Sequence, residues 1–112
     1  MNSYTGPDDM RWTDAEKELA RRIYNKAYVA ECVTIAAEAK RMIANAKAPT
    51  DIWRVHDYLS NPRKDVDRAY DYRYSVLPRV FGCLMRDGWL TEADFAGLDR
   101  DKIDRIKFVA KL

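Results

Sequence analysis

Histidine and cysteine are scarce in this sequence of 112 residues. It has one histidine, His56, and two cysteines, Cys32 and Cys83. Zinc sites and the di-iron sites of helical bundles need several such ligands at short spacings, which this sequence lacks. The sequence therefore predicts neither a metal nor any other cofactor. Two distant cysteines give no disulfide framework, which is typical of a reducing cytoplasmic compartment.

Long apolar segments and a signal sequence are also absent. No run approaches the ~18 apolar residues of a membrane-spanning helix, and residues 1–12 lack the apolar core of a signal peptide. We therefore expect a cytoplasmic protein without integral membrane contact. Strand-like alternation and internal repeats are missing as well, so the sequence predicts an all-α fold.

No sign of charge dominates. There are 20 basic and 18 acidic side chains, and the net charge is +2. Near the carboxyl terminus, basic residues such as Arg100 and Lys102 alternate with Asp99, Asp101 and Asp104, the usual pattern of a solvated helix face. We expect no nucleic acid as a partner, although a nucleic-acid-associated regulator remains the alternative function to test.

A long first helix is the main structural prediction. Residues 1–12 have no periodicity and are predicted to form a flexible arm, whereas residues 13–112 form one helical domain. Thr13 and Glu16 make a capping box. From there, no glycine or proline interrupts the chain up to Ala48. Such a helix is roughly 50 Å long, and a compact domain of this size is only about 35 Å across.

The apolar face of this first helix changes sides along its length. One side carries Leu19, Ala20, Ile23, Tyr24, Ala27 and Ala30, and the opposite side of the second half carries Val29, Val33, Ile35, Ala36, Met42 and Ile43. Two opposed faces need two neighbours, and the economical second neighbour of a short chain is another copy. We therefore predict a homodimer formed through a long-helix stalk.

Four further helices are predicted. The first spans residues 51–59, with Ile52, Val55 and Leu59 facing inward. The second spans residues 62–87 and is bent at Pro78, with Gly88 as its C-cap. A short helix begins at Thr91, and the last spans residues 100–111. The stalk, a helical hairpin of residues 13–75, would thus bear a small helical head of residues 76–112.

The candidate partner-binding residues lie in the second and third of these predicted helices. Trp53 lies off the inward stripe, so it either contacts a partner or packs on the long helix. His56 and Asp57 are adjacent and point about 100° apart on a helix, which argues against a catalytic pair. Tyr70 fits the core by its spacing. Arg73 interrupts an apolar stripe, so it either extends to solvent or pairs with a carboxylate such as Asp57 across a subunit interface.

At this point the sequence resembles a known family, the fluorescence recovery proteins. The resemblance runs from Glu16 to Lys107. Its most specific part is the block Asp51-Ile-Trp-Arg-Val-His-Asp-Tyr-Leu-Ser60, followed by Arg63, Asp67, Tyr70-Asp71, Arg73, Ser75, Val80-Phe81 and Gly88.

The resemblance implies a non-enzymatic dimer that binds the C-terminal domain of the photoactivated orange carotenoid protein. Binding would accelerate the return from the red to the orange form and restore phycobilisome fluorescence. Trp53, His56, Asp57 and Arg63 match functional positions of the family, at the dimer interface and the binding surface beside it. The location implied is the cytoplasm, including the cytoplasmic face of thylakoids.

One segment departs from the family pattern. Leu77-Pro78-Arg79 stands where the family has a continuous apolar, often aromatic, helical run. The departure suggests a divergent homologue with a weakened affinity for the carotenoid protein or with a different client. The alternative function is therefore a helical adaptor that has kept the fold.

Overall fold

The computed structural model describes residues 11–112, apart from the side chains of residues 61–69. Over this range the chain is all-α, as predicted, and contains no strand. The elements in chain order are α1 (Asp14–Ala44), α2 (Pro49–Ala69), α3 (Leu77–Arg86), a short 3-10 helix (Glu92–Phe95) and α4 (Arg100–Ala110). Most of the predicted arm therefore lies outside the described residues.

The capping box predicted for α1 is confirmed. The Thr13 hydroxyl oxygen accepts a hydrogen bond from the Glu16 amide at 3.1 Å, and the Thr13 amide donates to Glu16 Oε1 at 3.1 Å. Two amides that have no partner within the helix are thus satisfied, which fixes where α1 begins.

The connection between α1 and α2 is organised by Asp51. Its Oδ2 accepts hydrogen bonds from the amides of Lys47 at 2.9 Å and Ala48 at 3.0 Å. Because these two amides bond to the Asp51 side chain, α1 ends at Ala44 and does not continue to Ala48. Pro49 is the first residue of α2, where its missing N–H is harmless. The prediction that Thr50 caps a helix beginning at Asp51 is therefore wrong.

No helix boundary occurs at Ser60-Asn61-Pro62, where the sequence predicted one. α2 continues through this segment to Ala69. The Ser60 hydroxyl does not cap a new helix; it donates back to the His56 carbonyl oxygen at 2.9 Å, along the same helix. A serine can make either bond, and here the helical one is used.

The actual break lies between α2 and α3, at residues 70–76. The Arg73 carbonyl oxygen accepts from the amides of Val76 at 2.9 Å and Leu77 at 3.0 Å, which closes a turn before α3. Pro78 follows in the first turn of α3, where it costs no hydrogen bond. The predicted mid-helix bend at Pro78 is therefore wrong, because a new helix begins there.

The core joins the first half of α1 to α3, the 3-10 helix and α4. Its most buried members are Ala20, Ile23, Ala27, Leu77, Phe81, Leu84, Leu90, Phe95 and Ile106. The rings of Phe81 and Phe95 are 5.9 Å apart. Because α1 supplies part of this core, the boundary expected at residue 75 between stalk and head does not divide the chain into two separately packed parts.

Gly88 ends α3 as predicted. Its φ is +90°, a left-handed conformation that glycine adopts without a steric cost. The Trp89 amide donates to the Leu84 carbonyl oxygen at 2.9 Å, and the Gly88 amide donates to that of Met85 at 3.1 Å. This is the Schellman pattern, which satisfies carbonyl groups at the end of the helix.

The molecule is elongated, as the length of α1 predicted. It measures 64 × 26 × 23 Å and has a radius of gyration of 17.6 Å. A compact domain of this length has a radius of gyration of about 13 Å. We use "stalk" for the α1–α2 hairpin of residues 29–69 and "head" for residues 12–28 together with 70–112.

Candidate partner-binding surface

The side of α1 that faces away from the core carries exposed apolar residues in the stalk. Val29, Val33 and Ile43 are all exposed, and Val33 has 61% of its surface accessible. They lie on one side of the helix, opposite the side that buries Ala20 and Ala27 in the head. Apolar residues are therefore present on opposed sides of α1, as predicted, but Ile35, which was predicted for the second side, is partly buried against the core of the chain itself.

α2 adds further exposed apolar side chains to the stalk. Trp53 is 65% exposed, and Ile52 and Leu59 are exposed as well. Only Val55 of the predicted inward stripe is buried. The prediction that Ile52 and Leu59 face inward is wrong for the single chain, because the narrow contact with α1 covers one row of α2. Trp53 is therefore not buried against the long helix within the single chain.

His56 and Asp57 lie beside this tryptophan. The His56 ring is 6.4 Å from the ring of Trp53, in an edge-to-face arrangement. His56 Nδ1 and Asp57 Oδ1 are 3.4 Å apart, although adjacent helical residues diverge at Cβ. Both side chains are exposed to solvent. The structure thus brings together three of the predicted site residues, while the side chain of Arg63 lies outside the described part.

Tyr70 belongs to the core and not to the exposed surface. Its hydroxyl donates to Glu31 Oε1 at 3.1 Å, and its carbonyl oxygen accepts from the Tyr24 hydroxyl at 2.7 Å. Burial, with the negative charge of Glu31 beside it, raises the pKa of the Tyr70 phenol. Tyr70 therefore fixes the end of α2 against α1, as its core interpretation predicted.

Arg73 does not occupy an apolar stripe, because the helix predicted around it is absent. It lies in the turn between α2 and α3, is exposed, and pairs with Asp71 of the same chain. Arg73 Nε lies 2.9 Å from Asp71 Oδ1. This hydrogen bond lowers the pKa of the Asp71 carboxyl and raises that of the Arg73 guanidinium. The predicted pair with Asp57 is not formed within the chain.

An aromatic cluster at the junction of stalk and head was not predicted. The Arg21 guanidinium lies 3.7 Å from the ring centre of Tyr72, and Tyr72 packs edge-to-face on Tyr24 at 4.8 Å. Tyr74 lies 5.6 Å from Tyr72. A signal was present in the sequence, since the tyrosines at 70, 72 and 74 have the spacing of extended chain and not of a helix face.

A buried ion pair holds the start of α1 to the start of α4. Glu16 and Lys102 are both buried, and Lys102 Nζ is 3.2 Å from Glu16 Oε1. The Asp99 amide donates to Glu16 Oε2 at 2.8 Å. Burial alone would raise the pKa of Glu16, but the hydrogen bonds from Asp99, Thr13 and Lys102 outweigh it and lower that pKa. The pair is a structural element of the head.

Several basic residues of α4 have partners within the chain. Lys102 is bound to Glu16, Arg100 Nε lies 3.4 Å from Asp104, and Lys107 Nζ lies 3.3 Å from Glu92. The helix does not present these residues as a row of unpaired cations. The arrangement therefore gives the nucleic-acid alternative no specific support.

Within the part of the chain that the structure describes, no three or more of its histidine, cysteine, aspartate and glutamate side chains are grouped to hold a metal ion. Cys32 and Cys83 are both free thiols and partly buried. Across those same residues, no helix combines the length and apolarity needed to cross a bilayer.

Comparison with known proteins gives one consistent result. Residues 12–110 match the family model described as "Photoprotection regulator fluorescence recovery protein". The chain is 33% identical, over 101 residues, to the fluorescence recovery protein of Synechocystis sp. (strain PCC 6803), a match that covers 90% of this chain and 93% of that protein.

Solved structures agree with the sequence comparison. The fluorescence recovery protein of Fremyella diplosiphon is 36% identical and superposes with a TM-score of 0.86. That of Synechocystis sp. PCC 6803 is 32% identical, also with a TM-score of 0.86. Each match covers 91% of this chain and 100% of the solved chain.

Proposed function

The chain belongs to the fluorescence recovery protein family of photoprotection regulators, and from that premise we propose that it acts as a non-enzymatic homodimer. Its client is the photoactivated orange carotenoid protein, which it binds through the C-terminal domain of that protein. Binding accelerates the return of the client from red to orange and restores phycobilisome fluorescence. In this proposal the protein acts in the cytoplasm, at the phycobilisomes. The family match over residues 12–110 carries this proposal.

The exposed apolar side chains of the stalk support the homodimer. Val29, Val33 and Ile43 recur on one side of α1, so they are not singly scattered surface residues. Burial of that side against an identical side removes apolar area from water in both copies. In a two-fold symmetric dimer the same surface of each copy is buried against the other. This is the commonest arrangement of a homo-oligomer.

The group around Trp53 lies in the same stalk, so dimer formation and client binding involve neighbouring residues. Trp53 is a large, exposed aromatic side chain, the type that dominates binding energy at protein interfaces. His56 and Asp57 add a polar edge beside it. In this proposal these residues, with Arg63, form the dimer interface and the client-binding surface next to it.

Acceleration without chemistry follows from differential affinity. A partner that binds the compact form of the client better than the opened form shifts the population toward the compact form. A partner that holds the separated client domains close together also shortens their search for each other. Neither effect needs a catalytic group.

The departure at residues 77–79 affects the head in one respect. Pro78 is buried in the first turn of α3 and introduces no bend, so the helical path is preserved. Arg79 is exposed at the start of α3 and puts a charge where the resemblance implies an apolar residue. If the head touches the client, this substitution weakens the contact or selects a client with an acidic surface.

The proposal is tested by mixing the purified protein with photoactivated orange carotenoid protein and following the client's absorbance in the dark. We expect faster recovery of the orange form. Trp53→Ala should slow that recovery, because it removes the largest exposed anchor of the stalk. Arg100→Ala, an exposed change on α4 away from the stalk, is the control and should leave the rate unchanged.

No acceleration at a several-fold excess of protein would contradict the proposed client. Salt-sensitive binding to duplex DNA in its place would support the alternative, a regulator with the same fold and a different client.

A further inference from the structure

The outward side of α4 carries two large apolar side chains. Phe108 and Leu112 are 64% and 79% exposed, and they lie one turn apart on this side of the helix. Beside Phe108, between α4 and the start of α3, lies a groove of about 280 Å³, which we call the head groove. It is lined by Val76, Arg79, Arg105, Phe108, Val109 and Leu112. Exposed apolar groups that adjoin one another in this way mark an interaction surface.

Opposite charges lie on either side of Phe108 along the same side of α4. Asp104 and Lys111 are seven residues apart, close to two turns of about 3.6 residues each, so they lie on one edge of this side. Their midpoint falls beside Phe108. Within the described part of the chain, Asp104 pairs with the exposed Arg100 at 3.4 Å, and the exposed Lys111 forms no ion pair.

Such a side is complementary to itself. A two-fold axis across α4 sets two copies of the helix antiparallel, so each residue before the axis faces one at the same distance after it. With the axis beside Phe108, Asp104 of each copy faces Lys111 of the other. Arg105 faces Ala110, so this register sets no like charges opposite each other. The two Phe108 rings then meet near the axis, each beside the head groove of the other copy.

We propose that the head binds a second copy of this chain through antiparallel pairing of α4. Phe108 and Leu112 form the apolar centre of the contact, and two pairs of Asp104 with Lys111 form its edge. Exposed ion pairs add little affinity, but they select this register over the parallel one. The contact joins the stalk dimers of the proposed function without depending on them, and any client that binds the head groove competes with it.

The size of the contact predicts a weak association. α4 has 11 residues and is about 16 Å long, at ~1.5 Å per residue. One side of such a helix, roughly 10 Å wide, covers much less than the ~800 Å² that each partner buries in a standard interface. We therefore expect head pairing at millimolar concentrations, above those at which the stalk dimer forms.

Sedimentation equilibrium of the full chain from micromolar to millimolar concentration tests the proposal. We expect the average mass to rise above that of the stalk dimer, and Phe108→Ala should remove most of that rise. Val33→Glu, which disrupts the stalk, should rise from the 13.1 kDa of one chain toward twice that mass. A constant mass in either the wild type or Val33→Glu, or an undiminished rise in Phe108→Ala, would overturn the proposal.

The head contact and the stalk dimer can fail separately. If the stalk does not dimerise, the wild type has the mass of one chain at micromolar concentration, and the head contact still raises that mass at millimolar concentration. If only the head contact fails, the mass remains that of a dimer at every concentration.

A charge exchange tests the register. Asp104→Lys and Lys111→Asp should each abolish the rise, because like charges then face each other. An equimolar mixture of the two variants should recover it, because the exchanged charges pair across the mixed contact. Asp87→Lys, the same change of charge at an exposed position at the end of α3, is the matched control and should keep the rise. A mixture that stays without the rise, or a control that loses it, would contradict the pairing.

Amide NMR spectra distinguish a second copy from the client as the occupant of this surface. On dilution of the protein alone from millimolar concentration, the signals of Asp104, Phe108 and Lys111 should shift. Signals that stay fixed on dilution and move only when photoactivated orange carotenoid protein is added would assign the head groove to the client and overturn the proposal.

Discussion

At the scale of single residues, the pair of Glu16 and Lys102 shows how one capping residue can also organise tertiary structure. Glu16 Oε1 accepts from the Thr13 amide, and the same carboxylate binds Lys102 and the Asp99 amide. Two buried charges are costly to desolvate, and only complete pairing makes them tolerable. Removing either partner therefore costs much more than the pair itself contributes.

Glu16→Gln should lower the free energy of unfolding by about 3 kcal/mol, because it leaves the Lys102 ammonium buried without a counter-charge. Urea unfolding at neutral pH measures the change. Glu18→Gln, an exposed change on the same turn of α1, should have little effect. A loss no larger for Glu16→Gln than for Glu18→Gln would show that the ammonium is compensated in another way.

The stability should also depend on pH through Glu16. Its pKa in the folded protein is lowered from an ordinary value of 4.5, so its contribution is present above that value and is lost as the pH falls further. Asp94, whose pKa is also lowered, adds to the same slope. The difference between the wild type and Glu16→Gln should therefore shrink as the pH is lowered from 6 toward the acid limit. Unfolding curves at several pH values measure it.

At the scale of elements, the contact between α3 and α4 depends on a glycine. A Cβ atom built on Gly82 would lie 2.5 Å from Val109 Cβ and 2.9 Å from the Ile106 carbonyl oxygen. Both distances are shorter than a Cβ atom can approach a carbon or an oxygen atom without a clash. The two helices therefore approach as closely as they do only because residue 82 has no side chain. Helix propensity alone would favour alanine by about 1 kcal/mol.

Gly82→Ala should nevertheless destabilise the protein by about 2 kcal/mol, because the overpacking outweighs the gain in propensity. Thermal unfolding measures the effect. Val109→Ala in the same background should recover only a small part of the loss, because it removes the Val109 Cγ1 contact at 2.6 Å and keeps the Cβ contact, whereas Val109→Ala alone should destabilise. If Gly82→Ala raised the melting temperature, the close approach of α3 and α4 would be wrong.

At the scale of the whole molecule, the elongated shape decides which apolar residues stay exposed. The head surrounds the first half of α1, but only α2 accompanies the second half. A helix with one neighbour can bury only one side, and Val33 lies on the other. The opposed faces of α1 therefore favour association of two copies through the stalk.

Val33→Glu should convert the proposed dimer to a monomer, because a carboxylate would be buried at the interface without a partner. Light scattering should return the 13.1 kDa of one chain for the variant and twice that for the wild type. Thr34→Glu makes the same change at the next position, on an exposed side about 100° round the helix, and should remain dimeric. A wild-type mass of one chain at micromolar concentrations would contradict the assembly.

Local signals were sufficient for much of the fold. The capping box at Thr13, the C-cap at Gly88 and the bounds of α4 follow from interactions within a few residues, and each appears in the structure. The resemblance carried by the block from Asp51 to Ser60 also led to the family that the comparisons identify.

The errors fall where two local signals compete. Ser60-Asn61-Pro62 and Pro78 are both compatible with the first turn of a helix, and only the second begins one. The difference lies in distant contacts, since Tyr70 is held by Tyr24 and Glu31 on α1 and the chain must turn there to reach the head. The spacing of the tyrosines at 70, 72 and 74 indicates extended chain there, but no pattern within residues 60–80 identifies the partners on α1.

The sequence by itself determined the helical class, the long first helix and its two opposed apolar faces, because periodicity and capping act over a few residues of chain. Only the tertiary structure decided that Trp53, Ile52 and Leu59 are exposed while Tyr70 is buried, and that Arg73 pairs with Asp71. Burial depends on which surfaces meet in space. In this chain the head covers the first half of α1, whereas the second half packs against α2 and keeps its other side exposed.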